Sequence, residues 1–346
     1  MGFQLPRTDI NFLNSVRYYT TYLFILPNFN LSENRIEIPT FFKPFSAILS
    51  TLYIGLYIYC VSLEYENSLE NATWITKAII FIIDFSSIAI FCVALFSILK
   101  RKKSWEKLFK SLRLFDSLLQ NKRKDYKSST CSFFFKFLSS HLIILLFYIS
   151  FVCYVKFFTK HFSWFYVLSM ISSIYLFSTS IIIAELAYAI VIRYTLIFDL
   201  ISRSDLKEDS LSVSKKIEKG RVFFEINGHI VNLFNKVFGW HILIIQCRTI
   251  AAILRNLDLL VDGFSWKIDN QIAHLTMSVV LVYGTSMLAM RCDAAKEEAE
   301  KIFYRSRVKY FNARRDTEEF KLLENLFDTV KNQPQFTAAG FFEIEP

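Results

Sequence analysis

Charged side chains interrupt two of the most apolar stretches of the chain, and they are its first candidates for chemistry. Asp84 is the one charge in AIIFIIDFSSIAIFCVALFSIL, while Arg248 and Arg255 lie in VFGWHILIIQCRTIAAILRNLDLLV. An unpaired charge near the centre of a bilayer is costly, so such residues either pair or serve a function. At about 1.5 Å per residue, Asp84 lies roughly 15 Å and Arg248 roughly 20 Å from the outer ends of their helices. We therefore predict a structural Asp84–Arg248 ion pair; the alternative is a ligand-binding role, for which Asp84 and Arg255 are candidates.

A second set of candidates consists of aromatic side chains with polar tips. Four residues of the run 162–192 have helical spacing that puts them on one face: Trp164, Leu168, Ile171 and Tyr175. Tyr154 and His274 belong to neighbouring runs and would face the same depth. Together these groups could line a pocket for a small polar molecule in the outer half of a helix bundle. The alternative is that Trp and Tyr simply lie at the membrane interfaces, which both residue types favour.

Enzyme chemistry is not indicated by any motif in the sequence. G-x-S-x-G, a Walker loop, G-x-G-x-x-G and H-E-x-x-H are all missing from it. The five His and six Cys are scattered, and no C-x-x-C pair occurs. We therefore expect a protein that is not an enzyme and that uses no metal and no cofactor.

Six apolar runs, each long enough to cross the roughly 30 Å hydrocarbon core of a bilayer, would position these residues. They cover 41–63, 74–99, 133–158, 162–192, 237–262 and 271–291, in a chain that is 53% hydrophobic. An open chain in lipid satisfies its backbone groups only as a helix. The sequence thus predicts an all-α, polytopic membrane helix bundle with six spans. No cleavable signal peptide is recognised in 1–40.

The basic residues between the runs give the orientation. Loop 100–132 holds eleven Lys and Arg and loop 193–232 holds seven, whereas loop 64–73 has none. Because basic loops stay in the cytoplasm, we predict a multi-pass protein of the cell membrane whose N-terminus is cytoplasmic. The net charge of +9 then reflects attraction to anionic membrane lipid, not nucleic-acid binding. Asn71 begins an N-A-T sequon in an outer loop and is a candidate glycosylation site.

The inner segments are themselves predicted to be helical. In the segment after 192, apolar residues recur at helical spacing: Leu196, Leu200, Val213, Ile217, Phe224 and Phe234. The stretch 293–333 reads as a continued helix with an apolar stripe of Val308, Phe311 and Leu322. These helices would extend the bundle into a cytoplasmic base. The stripes need a partner, which is either a neighbouring helix of the same chain or another subunit.

Two short stretches carry a resemblance to a known family. FNKVFGWHILIIQ (234–246) is similar to the entry into the fifth span of insect gustatory receptors. LLENLFDTVKNQPQF is followed by the family's Thr-Ala-small-Gly-Phe-Phe pattern, which here includes Thr337, Ala338, Gly340, Phe341 and Phe342. The resemblance implies a homo- or hetero-tetramer of receptor subunits that opens a cation pore when a small-molecule tastant binds.

The resemblance also implies a division of the chain. We expect a cytoplasmic N-terminal segment (1–40), a six-span bundle (41–291), and an anchor helix with the truncated approach to a seventh span (292–346). In the resembled family the seventh helix lines the ion pathway, and its closing Thr-Tyr…Gln-Phe helix is missing here.

Two alternatives share much of this pattern. Insect odorant-type receptors have the same architecture, but their closing stretch would read differently around 334–342. A polytopic transporter would tend to show inverted repeats and spans broken by Gly or Pro. No Pro lies within the second to sixth runs, and we recognise no repeat.

The expected absence of the pore helix gives a first prediction. The chain expressed alone should conduct no ions, because the element that would line the pathway is missing from it. Single-channel recording of the expressed chain tests this. Robust ligand-gated current through the chain alone would contradict it.

Overall fold

The computed structural model describes residues 42–68, 73–119, 164–202, 210–261, 268–338 except 314 and 316, and 342–343. Seven helices lie in this part of the chain: α1 (Phe42–Ser68), α2 (Trp74–Lys100), α3 (Lys102–Leu119), α4 (Trp164–Ser202), α5 (Ser210–Val261), α6 (Ile268–Asn312) and α7 (Glu318–Lys331). Two-residue strands β1 (Thr337–Ala338) and β2 (Phe342–Glu343) pair antiparallel, with Thr337 opposite Glu343. The all-α prediction is confirmed apart from this short pair.

Four helices are long and apolar enough to cross a membrane within the described residues. Their apolar segments are Trp74–Ser97, Ile171–Ser202, Val213–Asp258 and Leu275–Asn312. Helix α1 contains a shorter apolar stretch, Ser50–Ser62. The predicted run 133–158 lies outside the described residues. The structure therefore supports a membrane protein with four candidate spans.

The three longest helices exceed the thickness of a bilayer. Helices α4, α5 and α6 contain 39, 52 and 45 residues, which correspond to about 58, 78 and 68 Å at 1.5 Å per residue. The hydrocarbon core is only about 30 Å thick. Each helix must therefore continue well outside the membrane, as the sequence predicts for its helical base.

The chain divides into two compact units. Unit 1 takes its described residues from 1–102, 122–181 and 240–285, and unit 2 from 103–121, 182–239 and 286–346. In unit 1 a glycine allows two helices to approach closely. A Cβ atom on Gly284 of α6 would lie 3.1 Å from the Phe177 ring and 3.2 Å from the Ser180 Cβ of α4. Small residues at such contacts let membrane helices pack by van der Waals interactions.

Unit 2 has an aromatic core. Trp105 of α3 is fully buried, and its ring lies edge-on to Phe238 of α5 at 4.9 Å. Of the six residues that the helical spacing singled out in the inner segment, Ile217, Phe224 and Phe234 are buried, whereas Leu196, Leu200 and Val213 are only half-buried. Their partner is thus a neighbouring helix of the same chain, for example through the 5.6 Å contact between the rings of Phe224 and Tyr194.

The stretch 293–333 forms two helices, so the prediction of one continued helix is wrong. Helix α6 ends at Asn312, and Thr317 then caps α7 by accepting a hydrogen bond from the Phe320 amide at 3.3 Å. Two glutamates, Glu318 and Glu319, occupy the first turn of α7. An N-cap threonine followed by acidic residues stabilises the start of a helix, so a separate helix begins here.

The two helices of this hairpin are joined by stacked rings. Phe303 lies 5.2 Å from Phe327, and Tyr310 lies 4.8 Å from Phe320 and 5.8 Å from Phe327. The predicted apolar stripe faces away from this contact, since Phe311 is 68% exposed.

The segment after α7 is held against α5 by Asn235. The Asn235 side chain donates to the Gln335 carbonyl at 2.6 Å and accepts from the Thr337 amide at 3.1 Å. Next to it the ring of Phe336 packs edge-on against Phe234 at 5.1 Å. The two stretches that carry the family resemblance therefore meet in unit 2, although about a hundred residues separate them.

The two hydrogen bonds of Asn235 to Gln335 and Thr337 lead to a second prediction. Asn235→Ala removes both hydrogen bonds, so backbone amides between 333 and 338 should exchange with solvent faster. Hydrogen–deuterium exchange read by mass spectrometry measures this. Asn232→Ala, an exposed asparagine one turn earlier on α5, is the matched control and should leave the exchange unchanged. Equal exchange in both variants would show that Asn235 does not hold the segment.

Candidate functional site

The buried carboxylate of Asp84 is the centre of the candidate site in unit 1. Tyr57 on α1 donates its hydroxyl hydrogen to Asp84 Oδ1 on α2 at 2.8 Å. Both side chains are buried, as is Arg248 on α5, which lies close enough to interact electrostatically with Asp84. The second carboxylate oxygen, Oδ2, is buried and has no hydrogen-bond partner. Asp84 thus keeps one free acceptor inside the bundle.

Two serines extend this polar centre from α2 to α4. Ser172 donates to Ser87, one turn beyond Asp84, at 3.2 Å, and Ser87 can also donate to the Ile83 carbonyl at 3.0 Å. Both serines are fully buried. We call Tyr57, Asp84, Ser87, Ser172 and Arg248 the central cluster.

A row of aromatic rings adjoins the central cluster. Tyr53, which precedes Tyr57 by one turn on α1, lies 4.2 Å from the ring of Phe91 on α2. Phe91 in turn lies 4.5 Å from Tyr175 on α4. The Tyr53 hydroxyl donates to the Leu168 carbonyl at 2.9 Å, so its ring is fixed between the helices. Aromatic surface beside a few polar groups is the composition of a small-molecule site.

Arg255 belongs to a different network, near the first turn of α2. Its Nη1 lies 2.8 Å from Asp258 Oδ2, and the Thr76 hydroxyl donates to the same oxygen at 3.0 Å. Nearby, Asn256 donates to the Ser278 hydroxyl at 2.6 Å. An arginine held by a carboxylate on its own helix is engaged structurally, so this geometry favours a structural role for Arg255 over ligand binding.

The structure places both partners of the predicted Asp84–Arg248 ion pair in unit 1, where both are buried. The hydrogen bond that it gives Asp84 comes from Tyr57, and Arg248 lies close enough to interact electrostatically with Asp84. The direct ion pair stays a prediction.

The other predicted site residues are only partly described. Tyr175 is buried and joins the aromatic row, whereas Ile171, predicted on the same face, is 45% exposed. The backbones of Trp164 and His274 belong to α4 and α6, but their side chains lie outside the description. Thr337 and Ala338 form β1, and Phe342 begins β2. Four predicted positions lie outside the described residues: Asn71, Tyr154, Gly340 and Phe341.

Sequence reasoning missed Tyr57, Ser87 and Ser172 of the central cluster, and also Tyr53 of the adjoining aromatic row. Tyr53 and Tyr57 are spaced by one helical turn in the first apolar run, and adjacent serines occur at 86–87 and 172–173 in two others. Such repeated hydroxyl groups inside apolar runs were the signal that could have found them. They carry no charge, so composition alone did not distinguish them from helix-packing residues.

The chemistry that this arrangement supports is non-covalent binding. Among the residues the structure describes, no group of three or more His, Cys, Asp and Glu side chains could hold a metal ion. The central cluster instead offers a carboxylate acceptor, several hydroxyls and aromatic faces. These groups suit a small molecule that carries hydrogen-bond donors.

A family model described as 7tm chemosensory receptor matches residues 15–345, which is nearly the whole chain. No curated protein matches the sequence.

The Tyr57–Asp84 hydrogen bond gives a third prediction. Tyr57→Phe removes the donor and leaves a second carboxylate oxygen of Asp84 buried without a partner, which should cost about 1–3 kcal/mol of stability. Thermal unfolding of the detergent-solubilised chain measures the loss. Tyr59→Phe changes an exposed tyrosine on the same helix and should have little effect.

A double-mutant cycle makes this test specific to the pair. In an Asp84→Ala background, which has no side-chain acceptor, Tyr57→Phe should destabilise the chain less than it does in the wild type. Additive effects of the two substitutions would contradict the interaction.

Proposed function

The chain belongs to the 7tm chemosensory receptor family, and we propose that it recognises a small-molecule tastant through the central cluster of unit 1. The observation that carries this proposal is Asp84 Oδ2, a buried acceptor without a hydrogen-bond partner inside an apolar helix bundle. A buried polar group in that state costs free energy. A ligand that donates a hydrogen bond to it recovers that cost and gains affinity.

The surroundings of Asp84 suit a ligand with several hydroxyl or amine groups. Ser87 and Ser172 supply hydroxyls on one side, and the rings of Tyr53, Phe91 and Tyr175 supply apolar faces. Stacking on aromatic rings combined with hydrogen bonds is a common way to bind sugars and alkaloids alike. Arg248 balances the negative charge of Asp84, so the ligand need not be a cation.

We further propose the cellular role that the resemblance implies. The chain is a gustatory receptor subunit with six spans in the cell membrane and a cytoplasmic N-terminus, and it takes part in a tastant-gated cation channel. The basic segments 100–132 and 193–232 support this orientation, because such loops stay on the anionic cytoplasmic leaflet. The helices of unit 2 would join it to receptor subunits of the same or a related kind in a tetramer.

A binding experiment on the purified chain tests the tastant site directly. The chain is reconstituted in lipid nanodiscs and probed with fructose, sucrose, caffeine and quinine by saturation-transfer NMR, which detects weak ligands. We expect at least one probe to bind, and Asp84→Ala to weaken its binding by about tenfold, which corresponds to a lost hydrogen bond of about 1.4 kcal/mol.

Matched controls separate the site from a general loss of folding. Asp328→Asn alters an exposed aspartate of α7 in unit 2 and should leave binding unchanged. Ser172→Ala should weaken binding less than Asp84→Ala does. Binding that survives Asp84→Ala at full strength, or the absence of binding by all four probes, would contradict the proposed site.

A further inference from the structure

A cavity of about 240 Å³ lies within unit 2. It is formed by α4, α6, the end of α7 and the segment that follows α7. Small side chains, among them Ala295 and Ala299, line it on α6, and the rings of Phe303 and Phe336 contribute aromatic wall. Its volume is somewhat below the roughly 300–1,000 Å³ of drug-sized ligand pockets, so it suits a smaller molecule.

One polar side chain on the α4 wall of this cavity has a neighbour within unit 2. Tyr194 lines the cavity, and Asn227 on α5, which is fully buried, lies near enough to the Tyr194 hydroxyl to interact with it. Buried polar groups are almost always paired in native proteins, so Tyr194 and Asn227 serve each other. The wall therefore adds the face of one tyrosine ring to the lining.

The charges that line the cavity favour an anion. Lys296 on α6 and Lys331 at the end of α7 contribute two positive charges, and Glu300 contributes one negative charge. Lys296 has a further interaction of its own, so Lys331 is the lysine that an anionic group would meet beside the predominantly apolar walls. A molecule with an apolar body and one negatively charged group matches this combination of volume, aromatic wall and charge.

We propose that this cavity is a second ligand site, which binds a small amphipathic carboxylate independently of the tastant site in unit 1. The aromatic body of the ligand packs against Phe303 and Phe336, and its carboxylate lies near Lys331. Gln333, Pro334 and Gln335 also line the cavity, so the ligand contacts the segment that Asn235 clamps. Occupancy should therefore slow hydrogen exchange in that segment.

The test uses 4-phenylbutyrate as the probe, on the full chain in lipid nanodiscs. Saturation-transfer NMR reports binding, and hydrogen–deuterium exchange of residues 330–338 reports its location. We expect millimolar or tighter binding, with slower exchange in this segment and unchanged exchange around Asp84. Absence of binding at millimolar concentration, or binding without protection of this segment, overturns the proposal.

Two pairs of variants locate the ligand. Ala299→Phe fills the cavity and should abolish binding, whereas Ala294→Phe, on the same helix but outside the lining, should not. Lys331→Gln should weaken 4-phenylbutyrate about three- to fivefold, as expected for a partly exposed charge pair, yet leave the uncharged 4-phenylbutan-1-ol unaffected.

Lys321→Gln, another exposed lysine of α7, is the control for Lys331 and should change neither ligand. Because Lys331 is on the surface, its replacement tests the site even if Ala299→Phe does not fold. Equal binding of 4-phenylbutyrate by the wild type and Lys331→Gln would overturn the assignment of an anion to this cavity.

Discussion

The structure depends on one constraint: inside hydrocarbon every polar group must find its partner within the protein. Long helices satisfy the backbone, and the hydroxyl side chains in the apolar segments follow the same rule. Ser173, Thr179 and Ser180 on α4 each donate to the carbonyl four residues earlier. Thr249 and Thr285 do so on α5 and α6, and also contact each other at 2.8 Å. Local bonding of this kind lets a helix carry hydroxyls through the membrane at little cost, and it makes them available for contacts between helices.

Against that background the central cluster is a departure. The hydrogen bond to the Asp84 carboxylate comes from another helix, since Tyr57 on α1 donates to Oδ1. The second oxygen, Oδ2, has no hydrogen-bond partner. The network around Asp258 shows the usual outcome, in which Thr76 and Arg255 both engage the carboxylate. Both carboxylates lie in unit 1, and they differ in that Asp84 alone of the two leaves an oxygen without a hydrogen-bond partner; our proposal of a binding role for Asp84 rests on that difference.

Much of this architecture could be predicted from sequence, because apolar runs and basic loops report burial and charge directly. The helical nature of the inner segments followed from periodicity, whereas the depth of Asp84 in the membrane stays a prediction from the helix rise. The break between α6 and α7 was not predicted, since the capping threonine at 317 is an ordinary polar residue until its neighbours are known. The partners of Asp84 were also missed: a tyrosine 27 positions away, on another helix, has no local signature. Periodicity assigns faces to helices, but only packing decides which faces meet.

The hairpin of α6 and α7 has a mechanical consequence. Three ring stacks, spread over two turns of each helix, fix the two rods in one register. Sliding α6 past α7 by a single turn would separate all three stacks at once. Moving the two helices together would leave all three stacks intact. A displacement of the part of α6 that carries these rings would therefore move α7 with it. The strand pair follows α7 in the chain, so it would be displaced as well.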